Sequence, residues 1–551
     1  MLDESGQVLM SLEDPPSPLM DISFDVEPAD LLREFEDKWR LKIYSVSAMK
    51  NLYEEVKASL QASPQPKLQT LCLLDLPPEL LHLVMQLCGV DGARRLGATC
   101  HSLREVSVPY IYLERNLEIK FDPKWNEING EDPKAVHDYI QALAASARDE
   151  FIGDVAFLLS RPDISERIET LIVSGWQYRY FDMAGWEPFD ENVVEFLLPI
   201  SVHIHDLIAA SPNIKKLSLC FLVITQAMRE CIITLKQLNE LKVISSKVTG
   251  SANLPPSASA LRNLTIRISD PLDLSAWTFM HALSDLRWLL LAGTKNGARI
   301  LPPPEIVQSC NPFVTVQRAF IDGVQPMEQL DLAALFTSAS LATDHRLPLV
   351  ELKISMSYGI DDLVVDALLA ALEGSALRYF VLDGTTYGEP QLIDEIAQKL
   401  PDLRSLTLIY RDSYRQTKGK AANWPRPTWE YARRLGRFRQ LSHFGWNLDI
   451  TPTTTPATME LMEDGYPDDW WEYIREDWLD PSTEVAKLLA AYCPSLEMVV
   501  FLDGLPYRFQ KIVRSPQGDV STEDSFSYWD YYARHNPLLR SWPVVERRDD
   551  A

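Results

Sequence analysis

Leu238-Asn-Glu-Leu241-Lys-Val243, Leu261-Arg-Asn-Leu264-Thr-Ile266 and Leu286-Arg-Trp-Leu289-Leu-Leu291 are one phrase, L-x-x-L-x-L, written three times. Their central leucines stand 23 and 25 residues apart. Upstream the phrase occurs as Ile168-Glu-Thr-Leu171-Ile-Val173 and Ile214-Lys-Lys-Leu217-Ser-Leu219. Downstream it returns at Leu349–Ile354, Leu377–Leu382, Leu403–Leu408, Leu441–Trp446 and Leu496–Phe501, with a weaker copy at Val316–Ile321. Steps of 46 (171 to 217), 38 (406 to 444) and 55 (444 to 499) leave room for a missed copy or for insertions. The L-x-L alternation sends two side chains to one face of a short strand and the residue between them to the other. Burying two such residues yields roughly 3–6 kcal/mol, whereas ordering about 25 residues costs several times more. One copy cannot fold alone; stacked copies can.

The period falls in the 20–29-residue range of leucine-rich repeats. Runs between the phrases, such as Asp361–Leu372 with Leu363, Val364, Ala367, Leu368, Ala371 and Leu372, have helical spacing and are expected on the outer face. The expected fold class is α/β: an irregular leucine-rich-repeat-like solenoid over residues 166–511, with a curved parallel sheet on its inner face. Inserts are expected near 412–440 and 451–484, the second acidic and aromatic (Asp468-Asp469-Trp470-Trp471-Glu472-Tyr473, then Trp478). Residues 512–551 form a cap or tail, in which Ser525–Tyr532 is expected to close the open end. Asp322-Gly323, Asp383-Gly384 and Asp503-Gly504 read as turns by which the chain leaves a strand. Outward positions then line the concave face: Glu240, Lys242, Arg267, Trp288, Arg318, Phe320, Glu351, Lys353 and Tyr379. Both charge signs mixed with aromatics suit a protein or peptide, and the same residues also suit an ordinary solvated face. A register slip of one residue would invert the set.

Ahead of the repeats, Leu73–Tyr112 reads as three short helices. Leu76-Pro77-Pro78-Glu79 is a helix start, with proline in the first turn and a carboxylate at the positive end of the dipole. Leu80, Leu81, Leu83, Val84 and Leu87 cover more than one helix face, Gly89 and Gly92 break the run, and the apolar pattern ends or kinks at Pro109. About forty residues are too few to bury such a helix alone, which leaves apolar surface for a partner. The stretch resembles the F-box. The residues that carry the resemblance are Leu76, Pro77, Glu79 and Leu80, the apolar pair Val84-Met85, Asp91, and Thr99-Cys100-His101-Ser102-Leu103; Cys88 and Leu103 depart from the usual pattern. The resemblance implies an F-box-like domain at 71–112 that docks on the Skp-type linker of a cullin-RING ubiquitin ligase through Leu76, Pro77, Leu80, Val84 and Met85. With the repeats behind it, it implies a non-catalytic substrate adaptor whose solenoid holds a target protein. The alternatives are a repeat scaffold whose F-box-like module no longer binds the linker, and an enzyme built on the solenoid.

The remaining segments are a disordered leader (1–27), an amphipathic helical segment (28–62) with Leu31, Phe35 and Trp39 on one stripe, and a helical connector (113–165) with helices at Pro133–Leu143 and Phe151–Leu159. Of 551 residues, 46% are hydrophobic and 24% charged, and the net charge is -25. That charge argues against nucleic acid and against an anionic membrane surface. Seven cysteines without a CxxC pair, no basic-apolar leader and no apolar run of about 20 residues point to reduced thiols and to the cytoplasm or nucleus. No Walker loop, G-x-G-x-x-G, G-x-S-x-G or H-E-x-x-H is present, so no catalytic residue and no cofactor are expected. His203-x-His205 would put two imidazoles on one strand face, without a fitting third ligand for a metal.

Overall fold

A computed structural model describes residues 73–120, 133–175, 191–250, 261–268, 275–282, 285–293, 299–411, 422–449, 481–502 and 508–524. The expected leader, the amphipathic segment, most of the acidic-aromatic insert, Asp503-Gly504 and the stretch Ser525–Tyr532 lie outside them. The chain divides into two compact units, Met1–Val84 and Met85–Ala551.

In the first unit, a 3-10 turn at Leu73–Asp75 leads to the opening residues of helix α1 (Pro78–Thr99). Pro78 starts the helix because its missing N–H would have had no intrahelical partner there, and Glu79 meets the dipole in the first turn. Gly89 interrupts α1 with φ 66° and ψ -173°, a backbone state that side chains with a Cβ disfavour. Helix α2 (His101–Ile111) follows, with Cys100 extended at its N-cap. It runs through Pro109, where the apolar pattern predicts a stop or kink, and ends at Ile111. The second half of α1 lies close against α2: a Cβ on Gly97 would stand 2.2 Å from Ser107 Oγ.

The rest of the second unit alternates strands and helices. It begins with β1 (Glu114–Glu118), α3 (Pro133–Leu159), α4 (Pro162–Ser165), β2 (Thr170–Ser174), α5 (Glu191–Ala209), β3 (Lys216–Cys220), β4 (Val223–Ile224) and α6 (Gln226–Thr234). Next come β5 (Glu240–Ile244), β6 (Lys247–Val248), β7 (Asn263–Ile268), β8 (Trp288–Gly293), α7 (Pro304–Ser309), β9 (Arg318–Val324), α8 (Gln329–Ala342), β10 (Glu351–Ile360) and α9 (Asp362–Leu372). It ends with β11 (Tyr379–Thr385), α10 (Gln391–Lys399), β12 (Ser405–Tyr410), α11 (Thr428–Leu435), β13 (His443–Trp446), α12 (Pro481–Tyr492), β14 (Met498–Phe501), β15 (Arg508–Arg514) and β16 (Val520–Asp524). The fold is mixed α/β, with twelve α-helices among the described residues.

Fourteen strands form one sheet in the order β1-β2-β3-β5-β7-β8-β9-β10-β11-β12-β13-β14-β15-β16, and β4 and β6 pair separately. Pairing is parallel from β1 to β14 and antiparallel across β14-β15-β16. Among the described strands the sheet does not close into a barrel, because β1 and β16 each have one neighbour.

Every copy of the repeated phrase is a strand of this sheet. Leu171, Leu217, Leu241, Leu264, Leu289, Ala319, Leu352, Phe380, Leu406, Phe444 and Val499 pair in one unbroken row. All are buried, and they share one core cluster with the apolar faces of the helices. The weak copy at Val316–Ile321 is β9, with Ala319 in the row. The long steps are insertions, since β2 pairs directly with β3, β12 with β13 and β13 with β14.

Three expectations need correction. The connector at 113–165 contains β1, which pairs with β2, and its two expected helices are one, α3. Gly323 (φ 90°) and Gly384 (φ 113°) do not end their strands. Each is skipped in the pairing register, so Asp-Gly marks a β-bulge within β9 and within β11.

Candidate interaction surfaces

The first half of α1 carries apolar side chains on its surface. Leu80 is 46% exposed and Leu83 48%, while Leu81 is buried. One turn further along the same helix Leu87 is 78% exposed. Positions 80 and 83 share a helix face by their spacing, and two leucines in water on one face mark a contact surface better than scattered ones do. The five residues expected to face a linker do not behave alike. Pro77 and Leu80 are exposed, Leu76 and Val84 half-buried, and Met85 fully enclosed. Met85 is therefore a core residue, and Leu83 and Leu87 are exposed residues absent from the expected set. Of the two departures from the family pattern, Leu103 is buried and Cys88 exposed.

The sheet orders the expected concave-face residues into rows. Glu240, Asn263, Trp288, Arg318, Glu351 and Tyr379 pair in succession across six strands. Lys242, Thr265, Leu290, Phe320 and Lys353 form the next row, and Arg267 stands in a third, beside Ala292. All nine residues share the face opposite the buried L-x-L pairs, as strand alternation requires. Opposite charges meet there: Lys242 Nζ lies 2.9 Å from Glu240 Oε1, and Arg318 Nε 3.3 Å from Glu351 Oε1. No family model matches the chain, and no curated protein matches it.

Access differs along these rows. Arg267 is exposed, and Glu240, Lys242, Trp288, Arg318, Glu351, Lys353 and Tyr379 are half-buried. Phe320 is buried, in a small apolar cluster with Leu290 and Ala292 against which Trp288 packs. The Lys353 ammonium lies 4.5 Å from the Phe320 ring centre, a cation–π contact. Phe320 thus supports its neighbours and is not itself presented to a partner. Thr265 is buried too, and its Oγ1 has no hydrogen-bond partner among the described residues. A hydroxyl held out of water without a partner costs free energy. Thr265→Val keeps the shape and removes the hydroxyl, and is expected to raise stability by about 1 kcal/mol. A urea midpoint lower than that of the wild type would contradict this.

Beyond Lys353 the same face holds polar groups in burial. Ser355 Oγ donates to Asp383 Oδ2 at 2.9 Å, and Arg411 Nη2 donates to Asp383 Oδ1 at 2.8 Å and to the Met356 carbonyl at 2.9 Å. The pairing of Ser355 with Asp383 in the register brings the first two together. Gly384 makes room for the third, since a Cβ there would lie 3.1 Å from the guanidinium carbon. Nothing in the repeated phrase pointed to Arg411, which lies just past β12. Farther along, burial holds the His443 imidazole below its ordinary pKa and so favours the neutral ring.

The two imidazoles expected on a strand sit on α5, where residues two apart point to opposite sides. His203 Nδ1 is 2.8 Å from the Pro199 carbonyl, and His205 Nδ1 is 2.9 Å from Asp206 Oδ1. Among the described residues no group of three or more His, Cys, Asp or Glu could hold a metal ion. Cys493 is buried, and Cys100, Cys220, Cys231 and Cys310 are half-buried. Burial raises the thiol pKa of Cys220, Cys231, Cys310 and Cys493, which keeps them protonated and unreactive. Among the described residues no helix is long and apolar enough to cross a membrane.

Proposed function

We propose that the chain is a non-catalytic substrate adaptor of an SCF-type ubiquitin ligase. An F-box-like module would dock on the Skp-type linker, and a leucine-rich-repeat-like solenoid would hold the protein to be modified. The observation that carries this reading is the pair of exposed leucines, Leu80 and Leu83, on a helix that begins with Leu76-Pro77-Pro78-Glu79. A helix keeps such side chains in water at a cost that a partner's apolar surface removes. The ordered rows of charged and aromatic residues on the outward sheet face support the second half of the reading, because aromatic and arginine side chains anchor protein interfaces.

The test is co-purification of the full chain with a Skp-type linker. Wild type is expected to retain the linker, and Leu76→Ala/Pro77→Ala to weaken it. Leu80→Asp/Leu83→Asp is expected to weaken binding at least about a hundredfold, since two carboxylates would have to be desolvated in an apolar contact. Both pairs are compared with wild type for unchanged thermal unfolding. If wild type itself retains no linker, the adaptor reading fails. The second reading, a repeat scaffold without linker binding, then stands, and the enclosure of Met85 and exposure of Cys88 favour it.

A further inference from the structure

The residue immediately before each strand of the large sheet from β2 to β14 belongs to a row of its own, along the edge where the strands begin. Backbone hydrogen bonds stitch this row together: the Arg262 amide donates to the Asn239 carbonyl, Arg287 to Arg262, and Arg404 to Arg378. Successive members are therefore about 4.8 Å apart along the sheet. Where the row offers opposite charges, they close on each other, as Lys215 Nζ does on Glu169 Oε1 at 2.7 Å. Elsewhere it sets like charges side by side, Arg262 next to Arg287 and Arg378 next to Arg404. Arg262, Arg378 and Arg404 are exposed and have no ion pair or side-chain hydrogen bond among the described residues. Among the described residues Arg287 meets only Asp285, at 3.7 Å. Acids on the row stand only at its two ends, Glu169 and Glu497.

Adjacent like charges on a sheet repel. A chain of net charge -25 has carboxylates in excess, yet none among the described residues is placed against three of these four guanidinium groups. We propose that this row is a docking surface for an acidic segment of a partner protein. From Arg262 to Arg404 the row spans about 24 Å, the reach of about seven extended residues. Each guanidinium can take a carboxylate through two parallel hydrogen bonds, and an anion between neighbours removes their repulsion. A long nucleic acid is a poorer fit, because the net charge of the whole chain opposes it. This row adjoins the outward sheet face, one residue away in each strand, but its test does not involve the linker, so failure of either experiment leaves the other standing.

The experiment measures fluorescence anisotropy of a labelled glutamate-rich peptide about eight residues long, titrated with the full chain at about 0.15 M salt. A glutamine analogue and a single-stranded RNA of matching length serve as competitors. The glutamate peptide is expected to bind, to weaken as salt rises, and to be displaced by neither competitor. Arg378→Glu/Arg404→Glu and the milder Arg378→Gln/Arg404→Gln should each lose at least about tenfold in affinity, while Arg433→Glu, an exposed arginine on α11 off the row, changes it by less than about twofold. The Gln pair decides the matter if the Glu pair unfolds. Absence of binding by the wild type, equal loss with Arg433→Glu, or displacement by the RNA overturns the proposal.

Discussion

Asp383→Ala is expected to lower the folding free energy by about 3–5 kcal/mol, the range found when one partner of a buried ion pair is removed. The Arg411 side chain is 2% exposed and that of Asp383 10%, so water does not screen the pair. The substitution takes the carboxylate from a guanidinium that stays enclosed, and also removes the acceptor of Ser355 Oγ. Exposed pairs set the comparison: Lys511 and Glu523, 3.6 Å apart and both more than half exposed, are expected to contribute under about 1 kcal/mol. Chemical denaturation of Asp383→Ala and Glu523→Ala measures both. A double replacement, Asp383→Leu with Arg411→Met, separates loss of the charge from loss of packing, because neutral residues of similar size leave no buried charge behind. It should recover most of the stability. If Asp383→Ala unfolds within about 1 kcal/mol of wild type, the pair is not a buried structural link.

Trp446→Ala should be as damaging for a different reason. The indole is fully buried, 5.3 Å from the rings of Trp424 and Tyr431 and 5.7 Å from Phe444, centre to centre. Truncation leaves a cavity among rigid rings that cannot collapse into it, and such changes cost about 3–5 kcal/mol. Trp446→Phe is the informative companion. The indole Nε1 is buried without a hydrogen-bond partner among the described residues, so phenylalanine keeps much of the aromatic contact while dispensing with an unsatisfied donor. Phe is therefore expected to cost less than half as much as Ala in denaturant titrations. Equal losses would mean that a phenyl ring restores neither the volume nor the contacts of the indole, which would overturn this reading.

The sheet was legible because L-x-L carries the strand period directly, and the strand bonds pair the copies central residue to central residue. β1 was not. Glu114-Arg-Asn-Leu117-Glu buries one side chain and ends the sheet, so tertiary pairing with β2 decides its state and hydrophobic pattern does not. Asp-Gly signalled a glycine conformation correctly but not its place, since turns and bulges draw on the same left-handed backbone. His203 and His205 were misread because Ile200-Ser-Val202-His-Ile204-His alternates apolar and polar side chains as a strand would, although the segment is helical in α5. For the candidate surfaces, alternation gave the side of the sheet on which each residue lies. It could not give access: Phe320 is covered by its neighbours on the same face, and Met85 is enclosed while Leu83 and Leu87 are not. Such burial depends on which side chains crowd a position, and one phrase of sequence does not contain that.

From β7 through β16, spatial neighbours are also neighbours in the order of synthesis. As the ribosome extrudes the polypeptide, each new strand can add to a template already laid down behind it, and no segment has to wait for a distant one. Growth of this kind keeps loop-closure entropy small at every step and limits how long an unpaired edge stays open to other nascent chains. Among the described strands, β15 and β16 come last, and their antiparallel pairing departs from the parallel template that the earlier strands share.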